Sequence, residues 1–137
     1  MKKILILVLI NIPLFCSEKT FDKEIEKLAE KSTFCSAYFS IVRDCVQNSK
    51  AQELATISHN LSYNLGLSSI QYYRLSNPNR SNDMCIKLAA ANIKEDFEIL
   101  SKEINGDCSN ISLLQILYSK DCINHFKFTK EFFNIKD

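Results

Sequence analysis

The sequence predicts an all-α fold, an up-down bundle of about four helices stapled by two disulfides, with a short C-terminal helical tail. Three observations point there. Apolar residues recur at steps of three and four along most of the chain, which is the period of a helix with one buried face. Only two glycines and two prolines occur in 137 residues, so the residues that build hairpin turns are scarce. Four of the six cysteines fall into two widely spaced pairs, a spacing suited to links between helices.

The chain opens Met1-Lys2-Lys3, followed by ILILVLINIPLF from Ile4 to Phe15. A short basic head, a twelve-residue apolar stretch and a polar exit at Ser17-Glu18-Lys19 form the pattern of a secretory signal peptide. The stretch is shorter than the about 20 residues a membrane-spanning helix needs, and Asn11 and Pro13 interrupt it. Residues 1–16 therefore read as a signal peptide and residues 17–137 as one helical, disulfide-stapled domain, exported to the periplasm or beyond. Two readings of the exit stay open. Cys16 is either the last residue of the leader or the lipidated first residue of an envelope lipoprotein, although Phe15 is larger than the residue that usually precedes such a cysteine. Without Lys2 and Lys3, 15 basic and 16 acidic side chains remain, a net charge near −1. That balance provides no strongly basic face and argues against nucleic acid as a partner.

The first mature segment carries Phe21, Ile25, Leu28, Ser32, Cys35, Phe39, Val42 and Val46 in one stripe. Thr20 suits its N-cap, with Asp22 and Glu24 near the positive end of the helix dipole. A helix over 20–47 would be about 42 Å long at about 1.5 Å per residue. The second pattern runs through Ala51, Leu54, Ala55, Leu61, Leu65, Tyr72 and Leu75, diluted by Ser58, Gly66 and Ser68. Small residues there permit close packing, or a cleft for an apolar ligand. The stretch SNPNRSN over 76–82 is a loop. A third helix follows with Ile86, Ala90, Ile93, Phe97, Leu100 and Ile104, ended by Asn105-Gly106, where Gly106 suits a left-handed C-cap. The fourth begins near Asp107-Cys108 and carries Leu113, Leu114, Leu117, Tyr118 and Cys122. A tail, FKFTKEFFNIKD, completes the chain, with Thr129 able to cap a last turn or two.

Cys35 and Cys45 lie ten residues apart, about 15 Å along a helix. A disulfide requires Cα atoms within about 7 Å, so these two cannot join while the helix persists, and Cys108 and Cys122 face the same limit. Two antiparallel helices can close a ladder instead, pairing Cys35 with Cys122 and Cys45 with Cys108. Cys108 would then sit just before its helix, and Cys85 would be the odd thiol. Reduced cysteines buried as small apolar residues are the alternative.

The Cys-x9-Cys spacing of Cys35 and Cys45 resembles one half of the helical hairpins of the twin Cys-x9-Cys (CHCH) proteins. The thirteen residues between Cys108 and Cys122 depart from that pattern, as does the export signal, so the resemblance implies hairpin geometry alone. The segments CSAYFSIVRDC and DCSNISLLQILYSKDC look like those of small exported, cysteine-containing helical bacterial proteins of uncharacterised function, and imply no activity.

Motifs for chemistry are sparse. Neither His59 nor His125 follows a Glu at the spacing of di-iron bundles, and no Cys-x-x-Cys, haem-attachment, phosphate-loop or nucleophile-elbow motif occurs. Cys122 and His125 share a face, but no metal site and no cofactor is expected. Cys85 could act as a nucleophile only with a depressed pKa; a packed thiol is the plainer reading. The tail sets Phe126, Phe128, Phe132 and Phe133 among Lys127, Lys130 and Lys136, a surface for a partner or membrane, or a lid on the bundle. The chain is thus expected to be a non-enzymatic exported protein that binds a protein partner. The alternatives are a carrier of a small apolar ligand held between helices and an envelope lipoprotein anchored through Cys16.

Overall fold

The computed structural model describes residues 15–47 and 51–135, with side chains from Lys19 onward. Residues 1–14, where most of the expected signal peptide falls, lie outside the described residues, as do the side chain of Cys16 and all of Lys136. Four helices follow in order: α1 over Phe15–Val46, α2 over Gln52–Ser76, α3 over Asn82–Glu103 and α4 over Ile111–Phe132. A single 3₁₀ turn at Cys108–Asn110 leads into α4, and no strand occurs among the described residues.

α1 is the common partner of the other three helices. Near its middle Ser40 meets Ser62, and near its start Ile25 shares a cluster with Tyr72, so α2 runs antiparallel to it. The disulfides Cys35–Cys122 and Cys45–Cys108 set α4 antiparallel as well. Ile25 clusters with Cys85, while Leu100 and Ile104 join Ile41 and Val42, so α3 runs parallel to α1. The result is an up-down-up-down bundle with α1 innermost. Residues 35–39, 41 and 42 of α1 are all buried, which is the signature of a helix enclosed on every side.

The core has two apolar levels. The lower holds Ile25, Ala29, Tyr72, Tyr73, Cys85 and Ala89; the upper is built around Cys35, Tyr38, Phe39, Leu65, Leu100, Leu114 and Cys122. Between them, three hydroxyls of α1 each address a different helix. The Ser32 hydroxyl lies 2.8 Å from Nε2 of His125 on α4, Thr33 donates to the Asp96 carboxylate of α3 at 3.0 Å, and Ser36 donates to the Ser62 carbonyl of α2 at 2.8 Å. Apolar surfaces alone can slide past one another. Directional bonds at one level fix the register of all four helices. Among the described residues no buried side-chain polar atom lacks a partner.

Several expected details change. Thr20 lies five residues inside α1 rather than at its cap, and Phe21 is exposed. Leu54 and Leu75 face outward, because the inner face of α2 is Ala55, Ser58, Ser62, Leu65, Ser69, Tyr72 and Ser76. Ile93, Phe97, Leu100 and Ile104 of α3 pack on the core as expected, but over its first turns the inner face is turned by one residue, through Cys85 and Ala89, leaving Ile86 and Ala90 outside. Its cause is polar: Asn92 donates to the Tyr73 hydroxyl and Asp96 accepts from Thr33, drawing that side inward. Gly106 does take a left-handed φ of 66°, with its N–H on the Ser101 carbonyl at 2.8 Å, but Asn105 before it, next to the C-cap Ile104, is already left-handed at φ 54°. The tail is not a separate turn. It completes α4, and Thr129 accepts a hydrogen bond from the buried Tyr72 hydroxyl at 3.2 Å instead of capping.

Candidate functional site

The outer face of α4 is the surface that the fold least explains. Asp107 starts the segment by accepting the Ser109 N–H at 2.9 Å, and this bond holds its carboxyl below the usual carboxylate range. Cys108, exposed in the 3₁₀ turn just before α4, joins Cys45 with a Cα separation of 5.1 Å; buried Cys122 joins Cys35 at 5.3 Å. Both separations suit an ordinary disulfide. The first three turns of α4 are therefore tied to α1 at both ends.

Between those ties Leu114 points into the core and Tyr118 anchors the helix. The Tyr118 ring stands edge-on to Phe34 at 5.0 Å, and its hydroxyl donates to the Glu103 carboxylate at 3.1 Å. The opposite face carries Leu113, Ile116, Leu117 and Ile123, which expose 46, 81, 53 and 37 % of their surfaces. Spacings of three, four and seven place them in one stripe. From Cys108 to Ser119 the chain has no charged residue at all. Burial in this bundle leaves Ile116 almost untouched, so its apolar character is not a requirement of the core.

The four tail phenylalanines split. Phe126 packs on the upper core level and Phe133 on the lower, where its ring lies 4.7 Å from that of Tyr72. Phe128 and Phe132 remain exposed, 6.0 Å apart. One pair thus seals the bundle and the other faces out, dividing the expected surface between two roles.

Chemistry-bearing residues are mostly structural. Cys85 is a free thiol but wholly buried beneath Tyr72 and Tyr73, with no approach for a substrate. His59 is exposed on α2, far in sequence from buried His125. Burial, and then the nearby Lys31 cation, push His125 down to about 4, against the opposing pull of Asp121 and a hydrogen bond to the Leu28 carbonyl. Its Ser32 partner is completely buried, so the pair ties α1 to α4 rather than facing a ligand. Cys122 is oxidised and has no thiolate to share with His125, and no cluster of three or more metal-ligating side chains is found among the described residues. Burial also pushes Asp96 up, partly offset by the Thr33 hydroxyl.

Counting apolar residues places Leu113 and Leu117 inside, and so misses this face. The signal that finds it is the twelve-residue absence of charge, which an outward helix face needs some reason to keep. No protein-family model, no curated protein and no solved structure matches this chain.

Proposed function

We propose that this chain is exported and binds a protein partner in an oxidising compartment, docking through the outer face of α4. The observation that carries the reading is Ile116, 81 % exposed between Leu113 and Leu117 on an uncharged stretch pinned by two disulfides, with Ile123 extending the stripe just beyond the second. The centre of a protein interface is depleted of charge and enriched in apolar anchors. A helix already fixed at both ends loses little conformational freedom on docking. A groove that accepts an amphipathic helix by anchors at three-four spacing is the matching shape. A membrane surface fits less well, because interfacial helices flank their apolar face with Lys or Arg, and this stretch has none. Export is supported by the leader pattern over residues 1–16 and by crosslinks that persist where thiols are oxidised.

The test pairs wild type with Ile116→Lys, after circular dichroism and a thiol count show the same fold. Crosslinking in envelope extract should yield a defined complex with wild type, and purified partner should bind the variant at least about tenfold more weakly. Equal binding by both, or no complex under several conditions, would remove this reading. A wild-type homodimer abolished by the variant would replace it with self-association. Intact mass of protein from its native host tests export separately, since a chain retaining residues 1–15 was not processed.

A further inference from the structure

A second surface lies at the lower end of the bundle, where the last turns of α2, the 77–81 loop and the end of α4 meet. They enclose an open groove of about 720 Å³, within the range of about 300–1,000 Å³ typical of small-molecule sites. Its apolar wall is Leu75, Phe132 and Phe133. The two phenylalanine rings stand 5.0 Å apart and edge-on, with Phe133 backed by buried Tyr72, so the wall is firmly seated.

Two guanidinium groups, Pro78 and the amides of Gln71, Asn82 and Asn134 line the remainder. The two guanidinium groups differ in what they have to spare. Arg80 is committed: it donates to Glu26 at 2.8 Å and to the Ser76 hydroxyl at 3.3 Å, and lies over the Tyr73 ring at 5.8 Å. Arg74 is exposed and has no ion pair among the described residues. The groove therefore presents one unneutralised cation beside an apolar aromatic wall. Guanidinium binds a carboxylate through two parallel N–H bonds, and the Gln71 amide adds a neutral donor nearby.

We propose that this groove binds an amphiphilic monocarboxylate of the fatty-acid class, its head group on Arg74 and its chain along Phe132, Phe133 and Leu75. The site goes beyond partner docking by α4 and stands on different residues. A single anion matches the single free charge, and a flexible apolar chain matches an open, mostly non-polar trough.

Isothermal titration of the disulfide-intact full chain with laurate tests the site. Saturable binding is expected with a Kd on the order of 100 µM or tighter, as about 14 non-hydrogen atoms allow. Dodecyltrimethylammonium, with the same tail and the opposite charge, should bind at least about tenfold more weakly. Arg74→Gln should weaken laurate by about tenfold or more, the scale of one charge-assisted hydrogen bond, and Phe132→Ser should weaken it as well. The proposal is overturned if laurate does not saturate, if the two detergents bind alike, or if Arg74→Gln leaves the laurate Kd unchanged. Binding of the peptide acetyl-Ala-Leu-Phe in place of laurate would assign the groove to chain termini and overturn it too.

Discussion

α1 is held on two sides by opposite means. Toward α2 a run of small residues makes the seam, with Tyr72 and Tyr73 clustered with Ile25 and Ala29 toward the start of α1. Ala55, Ser62, Ser69 and Ser76 recur every seven positions and are all buried, and Ser36 and Ser40 of α1 meet Ser62 directly. Small side chains let two backbones approach closely, and the serines satisfy their own hydroxyls, as Ser69 and Ser76 do on carbonyls three residues back. Toward α4 the contact is made by large rings, Phe34, Tyr38 and Tyr118, and by two disulfides. Bulky rings hold helices further apart, and fewer backbone neighbours result. The crosslinks stand where continuous close packing does not, so covalent and non-covalent seams are complementary.

Removing the rungs should produce the largest effect. With Cys45–Cys108 intact, the Cys35–Cys122 bond constrains only the roughly two dozen residues between the rungs, which is about 3 kcal/mol in the chain-entropy model. Cys35→Ala with Cys122→Ala should lower unfolding stability in guanidinium by about that amount. Loss of both rungs should cost roughly 7–8 kcal/mol, most of the stability of an ordinary domain. A change under about 1 kcal/mol for the double pair would show that the aromatic seam holds α4 unaided. The two rungs also differ in access: Cys108 is exposed, while Cys35 and Cys122 are buried. Under limiting reductant, alkylation and mass spectrometry should find Cys45 and Cys108 labelled first.

Acid should loosen the α4 side next. His125 is depressed to about 4 in the folded chain from an ordinary value near 6.5, so the unfolded chain binds the extra proton between those limits. Stability is then full above about pH 6.5 and falls as pH drops toward 4, by up to about 3 kcal/mol. Asp96, raised by burial, acts with the opposite sign, since folding there favours the protonated form and supports the fold as pH falls. His125→Gln should flatten the decline in urea midpoints between pH 6.5 and 4; an unchanged slope would mean that another group is responsible.

The α2 side should be broken by bulk instead. Ser36→Leu inserts volume where Ser36 contacts Ser62 and also removes the donor to the Ser62 carbonyl, an expected loss of about 2–3 kcal/mol. Phe34→Leu on the aromatic side should cost about 1 kcal/mol. Equal losses in thermal melts would erase the distinction between the seams. The smallest effect is Gly66→Ala. An added Cβ would meet Ser36 Oγ at 3.4 Å and Ile93 Cδ1 at 3.6 Å, ordinary contacts, so the helix-propensity gain of up to about 1 kcal/mol should survive. A marked loss in the same melts would show that this seam is closer than those contacts allow.

Much of this bundle was legible in advance, and the misses share a cause. Cysteine spacing excluded links within one helix, and antiparallel geometry then left the ladder that the fold contains. Asn105-Gly106 marked the end of α3 because both residues tolerate the left-handed φ that closes that helix. The inner faces of α2 and α3 were harder to read, because serines, Asn92 and Asp96 carry no apolar signal and yet turn inward on hydrogen bonds. The seven-residue recurrence of Ser62, Ser69 and Ser76 was present in the sequence, but only as smallness, not as hydrophobicity. For the candidate surfaces, the uncharged run before Lys120 was visible. The outward turn of Ile116 was not, since period alone cannot say which side of a helix its neighbours leave open.

By itself, then, the sequence determined the number of helices, their breaks and the cysteines able to pair, because local spacing and chain geometry decide these. Tertiary structure alone decided that α1 would be enclosed and that Ser32, Thr33 and Ser36 would each bond a different helix. It also decided that Arg80 would be neutralised while Arg74 found no ion pair among the described residues. Each of these depends on which side chains from distant segments arrive at the same level, and no periodicity within one segment encodes that meeting.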